Sequence, residues 1–145
     1  NGYVTANGVT VNINSNKALN SVVGHEITHI LEGTNLYTEL QSAVKLYAEI
    51  KGEYQSRVDA ITKLYEGMDA DIDAEVTADL VGDYLFTDPE FIQRLSTEHR
   101  NVFQKVYAEI KYLAKVATAG SKEARQLEKA KKAFEDAYRA DSKGV

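Results

Sequence analysis

Cysteine is absent from this 145-residue chain. That excludes a disulfide framework and any thiolate-bound metal, so a zinc site here has to rest on histidine and carboxylate ligands. Long apolar runs are missing too: no stretch approaches the roughly 20 apolar residues that span a bilayer, and a membrane crossing is not expected. An excess of positive charge is also lacking. The net charge is -5 with a pI near 5.2, and the basic residues are scattered rather than clustered, which argues against a nucleic-acid backbone as partner. Neither an internal repeat nor a low-complexity linker interrupts the chain. It opens on Asn1-Gly2-Tyr3, without an initiator Met or a charged-then-apolar leader. The expectation is a domain belonging to a larger polypeptide, with a lean towards a cytoplasmic setting.

What is present fits one globular domain over 1–145. The apolar fraction is 43% and the charged fraction 27%, ordinary values for a chain long enough to bury a core without staples. Near the start, Val9, Val11 and Ile13 alternate with Thr10, Asn12 and Asn14, the period of a half-buried strand. Asn7-Gly8 before it reads as a hairpin turn, with Tyr3 to Ala6 as the partner strand. A small β ribbon over about 3–14 is therefore expected. From about Asn16 the period lengthens: Leu19, Val22, Val23, Ile27, Ile30 and Leu31 recur at helical steps, with Gly33 as a stop. A long helix is expected from Tyr37 to Tyr65, bent at Gly52. A third follows the acidic connector 67–73, capped by Asp71 or Asp73. Asp88-Pro89 restarts the chain as N-cap and first helical residue. A helix near Glu98 to Thr118 comes next, and from Ser121 a charged helix with a thin stripe of Leu127, Phe134 and Tyr138, marginal unless it docks. The fold class expected is α+β, mostly α.

The informative segment is His25-Glu26-Ile27-Thr28-His29, inside a helix that the apolar pattern predicts independently. Residues four apart on a helix lie one turn apart, about 6 Å along the axis, so both imidazoles can converge on one ion. Glu26 is rotated by about 100° from His25, near enough to reach water at the metal while leaving its coordination to others. Two histidines leave a catalytic zinc short of the usual three protein ligands. The metzincin extension fails, because Ile30-Leu31-Glu32-Gly33 follows and no histidine occupies the required place. Glu75 is the better candidate, in Glu75-Val76-Thr77-Ala78-Asp79, where two acids stand one turn apart and one can bind metal while the other orients a ligand histidine. Asp71, Asp73 and Asp79 compete for the same role. An EF-hand over Asp69, Asp71 and Asp73 is rejected, since its sixth position is Ala74 and its twelfth Leu80.

A HExxH helix followed on a later helix by ExxxD resembles the gluzincin branch of the zinc peptidases. It is also similar to the short metallopeptidase domains of large polyvalent proteins from bacterial mobile elements, over roughly Gly8 to Leu95. The interval between His29 and Glu75 is longer here than in thermolysin-like enzymes. The resemblance implies a zincin-like core, a Zn2+ cofactor held by His25, His29 and Glu75, Glu26 as general base and proton shuttle, and Asp79 as partner of His25. It also implies a His or Tyr beyond the third ligand as oxyanion donor, for which His99 is the one remaining histidine. Tyr84, Tyr65, Arg94 and Arg100 are alternatives. The strand at Val9 to Asn14 would then offer a backbone edge to an extended peptide. The function expected is zinc-dependent hydrolysis of a peptide or protein substrate. An inactive zinc-binding scaffold and a metal-free helical interaction module are the other readings.

Overall fold

The computed structural model describes residues 3–6, 9–12 and 16–143, with side chains over 20–140. The expected turn at Asn7-Gly8, and Ile13 and Asn14 of the expected strand, lie outside the described residues. The order of elements is β1 (Tyr3–Ala6), β2 (Val9–Asn12), α1 (Asn16–Leu31), α2 (Asn35–Ile50), α3 (Tyr54–Leu64), α4 (Ile72–Thr87), α5 (Pro89–Glu98), α6 (Arg100–Val116) and α7 (Lys122–Lys143). This overturns the α+β expectation of an N-terminal ribbon leading the core. Seven helices carry the architecture, and no β layer exists among the described residues. The segments β1 and β2 are four residues each, paired antiparallel from Tyr3 opposite Asn12 to Ala6 opposite Val9. A two-stranded pair of that length is marginal by itself. The buried apolar side chains described all lie on helices or the turns that close them.

The chain forms two compact units, 1–83 and 84–145, with α4 running from the first into the second. In the first unit α1 buries Val23, Ile27 and Leu31, at helical spacing on one face. The α2 helix buries Leu40, Ala43, Val44, Tyr47 and Ala48. The long helix expected from Tyr37 to Tyr65 is two helices. Gly52 adopts φ +73°, the Gly52 N–H donates to the Glu49 carbonyl at 3.0 Å, and the Glu53 N–H donates to the Ala48 carbonyl at 2.9 Å. Those two bonds end α2 in a Schellman motif, which needs a left-handed residue that only glycine adopts without strain. Asp71 caps α4, its Oδ1 accepting from the Ala74 N–H at 3.2 Å.

In the second unit Asp88 Oδ1 accepts from the Phe91 N–H at 3.2 Å with Pro89 opening α5, as N-capping requires. The α7 helix is not left solvated: Leu127, Ala130, Phe134 and Ala137 are buried. Phe134 stacks on Phe103, with ring centroids 4.9 Å apart, and on Tyr107 at 5.9 Å. Tyr138 leaves the expected stripe. Half its surface is exposed, and the Arg100 guanidinium lies 5.3 Å from its ring centroid. Among the described residues no helix is long and apolar enough to cross a membrane.

Candidate metal centre

Two glycines fix where the motif helix lies. A Cβ on Gly24 would collide with the Ala78 carbonyl oxygen and stand 2.7 Å from the Gly82 nitrogen. A Cβ on Gly82 would collide with the Asn20 carbonyl oxygen and stand 2.8 Å from its carbon. Ordinary contact between heavy atoms is roughly 3.5–4.0 Å, so α1 and α4 meet backbone to backbone where any side chain would hold them apart. Gly24 directly precedes His25, and Gly82 lies two turns beyond Glu75. The crossing therefore brings the motif of α1 against the acidic N-terminal half of α4.

The result is a close approach of His25 and Glu75, with Nε2 3.2 Å from Oε2. Two ligands bound at about 2.0–2.1 Å to one tetrahedral zinc stand about 3.3 Å apart, so this spacing suits a shared ion. Glu75 is buried although it is an acid, and burial of a carboxylate is costly unless hydrogen bonds satisfy it. Tyr65, itself buried just after α3, supplies one: its hydroxyl donates to Glu75 Oε2 at 2.9 Å. Thr28 is also buried and turns its hydroxyl to the Gly24 and His25 carbonyls, at 3.0 and 3.1 Å. A cavity of about 400 Å³ opens beside the pair, lined by His25, Glu26, His29, Glu32 and Glu75 among others.

His29 lines this cavity without joining the pair. Its side chain is 84% exposed and its Nδ1 stands 3.6 Å from Glu32 Oε2. Among the described residues no three His, Asp or Glu groups are gathered tightly enough to hold a metal ion. The donor set of two histidines and a glutamate nevertheless fits zinc in chemistry, and His25 with Glu75 fits it in spacing. His29 has to turn away from Glu32 to complete it.

Asp79 takes a different part from the one the family pattern implies. Its Oδ2 accepts from Arg57 Nη1 at 3.0 Å, and Asp83 pairs with Arg57 Nη2. Burial alone would lower the pKa of Arg57, but the hydrogen bonds and charges of Asp83 and Asp79 outweigh it and hold the group above its ordinary value. This cluster ties α3 to α4. Of the competing acids, Asp71 is engaged as the cap of α4. Asp73 lines a separate cavity of about 230 Å³ with Gln41, Lys45, Tyr54 and Thr77. His99 belongs to the second unit, where it ends α5 and begins α6. Tyr84 is in that unit too, packed on Phe91 with ring centroids 5.4 Å apart, as is Arg100, whose Nη1 donates to Ser96 Oγ at 3.2 Å.

Sequence reasoning did not find Gly24, Gly82 or Arg57, and it weighed Tyr65 only as an oxyanion donor, a role its burial disfavours. Part of the signal for the glycines was there: Ala78 and Gly82 are small residues four apart, a spacing that lets helix backbones approach closely. No protein-family model, curated protein or solved structure matches the chain.

Proposed function

We propose that this chain hydrolyses peptide bonds with a zinc ion held by His25, His29 and Glu75, as a gluzincin-like peptidase acting on a peptide or protein substrate. The observation that carries the reading is the 3.2 Å approach of His25 to Glu75 from two helices, on the cavity that Glu26 and His29 also line. Zinc, when bound, would polarise a carbonyl and bring the pKa of water towards about 7. Glu26 does the proton work. Glu26 is exposed and lines the cavity; in this reading its carboxylate takes a proton from water as the new C–O bond forms, and passes it to the nitrogen as the C–N bond breaks. His29 joins by rotation about its side-chain torsions, which its exposure leaves room for.

A second reading is favoured by one contact: Tyr65 already satisfies Glu75, so the His25–Glu75 pair also suits a buried clasp between α1 and α4 in a binding module without turnover. Zinc analysis and a peptide-library cleavage assay, run on wild type and Glu26→Gln, separate the two. The peptidase reading expects one zinc per chain in both proteins and cleavage reduced by about 10²–10⁴-fold in the variant. Equal cleavage by both removes Glu26 as the base. Zinc without any cleavage points to an inactive zinc-binding scaffold, and absence of zinc removes the metal site and favours the clasp.

A further inference from the structure

We infer that Tyr65 is a positioning residue for the metal site, fixing the Glu75 carboxylate in the orientation that meets His25; the inference rests on the zinc reading proposed above. The hydroxyl of Tyr65 donates to Oε2 of Glu75, the same oxygen that faces His25 Nε2. A carboxylate oxygen has two lone pairs, so one can accept from the phenol while the other is turned to a metal. The phenol is well placed to hold that orientation. Its residue is 6% exposed, as is Glu75. Its backbone is fixed on both sides, the Tyr65 N–H donating to the Ile61 carbonyl at 3.0 Å and its carbonyl accepting from the Met68 N–H at 3.0 Å.

Glutamate has three side-chain torsions, and this bond restrains the carboxylate at the end of them. With the bond, the ligand from α4 is set before a metal arrives. Outer partners of metal ligands act in this way, by reducing the ordering that metal binding must impose, and their loss typically weakens affinity by about 10–100-fold. The buried position separates this role from chemistry on the substrate: the hydroxyl is spent on Glu75 and the ring is covered.

The test is zinc affinity by competition with a chromophoric chelator, on wild-type protein and Tyr65→Phe, together with the visible spectrum of each protein loaded with cobalt(II). The expected result is zinc binding weakened by about 10–100-fold in the variant and a changed cobalt spectrum, with the apo helical content kept. A purely structural role for Tyr65 would lower the melting temperature of the apo protein and leave both metal readouts unchanged, which would overturn the inference while the zinc reading stands. Absence of zinc binding in wild type would overturn both. If Tyr65→Phe fails to fold, the ring-carbon NMR signal of Tyr65 in wild type decides. It should move on zinc addition, because the oxygen it bonds then shares its charge with the metal, and a signal that zinc leaves in place refutes the inference.

Discussion

Replacing Gly24 by alanine sets two effects against each other, and the structure says which wins. Gly24 is inside α1, where alanine is the better helix former by about 1 kcal/mol. Local propensity alone therefore predicts a more stable protein. The added Cβ, however, would stand 2.7 Å from the Gly82 nitrogen and collide with the Ala78 carbonyl oxygen. Both are backbone atoms of α4 and cannot rotate aside. Restoring contact to roughly 3.5 Å requires the helices to part by about 1 Å, and overpacking of this kind costs about 1–3 kcal/mol or more. Because both close contacts are with backbone atoms, the cost belongs at the upper end of that range, which leaves a net destabilisation of about 1–2 kcal/mol, read as a urea midpoint lowered by about 0.3–2 M for a slope of about 1–3 kcal/mol/M. The same displacement would part His25 from Glu75, so zinc affinity should fall with stability. Gly33→Ala is the control: Gly33 has φ +82° and open space around it, so it loses stability through backbone strain of about 1–2 kcal/mol without moving the site. A Gly24→Ala protein as stable as wild type, with zinc affinity unchanged, would refute the crossing as the device that assembles the site.

Two further outcomes follow from other parts of the molecule. Phe134→Ala empties a fully buried ring position stacked on Phe103 and Tyr107 and should cost about 3–5 kcal/mol in chemical denaturation; a loss below 1 kcal/mol would mean that α7 is not docked. At alkaline pH, burial followed by the charge of Glu32 raises the Tyr37 pKa above 10.0, against the opposing effect of a hydrogen bond with Thr77. A raised pKa means that the fold favours the neutral phenol, so this stability is fully present below pH 10 and lost as pH climbs above it. Denaturation midpoints measured on both sides of pH 10 should fall less steeply in Tyr37→Phe than in wild type, and identical slopes would contradict the assignment.

Much of the helical organisation was legible because each helix announces itself locally. The apolar residues of α1 recur at helical steps and place His25 and His29 on one helix, and Asp88-Pro89 marks the start of α5 by capping chemistry that needs no tertiary contact. Gly52 was legible as a bend, but its severity was not: the left-handed residue ends α2 outright, and the helical pattern on both sides hid the break. The fold class was misjudged for a different reason. Alternation over Val9 to Asn14 speaks for local backbone shape, whereas the class depends on which elements supply the buried side chains, and here the helices do. The candidate site divides in the same way. Glu75 carries a motif that can be read along the chain. The glycine crossing, the hydroxyl of Tyr65 and the capture of Asp79 by Arg57 depend on which helices meet. A single sequence records the crossing only as small residues four apart, and Arg57 only as a base one turn from Glu53, its partner within the helix at 3.5 Å.

The proposed site is one zinc ion between α1 and α4 on His25, His29 and Glu75. Anomalous scattering at the zinc edge, from a crystal of the zinc-loaded protein, tests it most directly. The account predicts a single strong peak within about 2.0–2.2 Å of His25 Nε2, a Glu75 carboxylate oxygen and a ring nitrogen of His29 turned away from Glu32. A peak coordinated by other residues, or no peak from zinc-saturated protein, would contradict it.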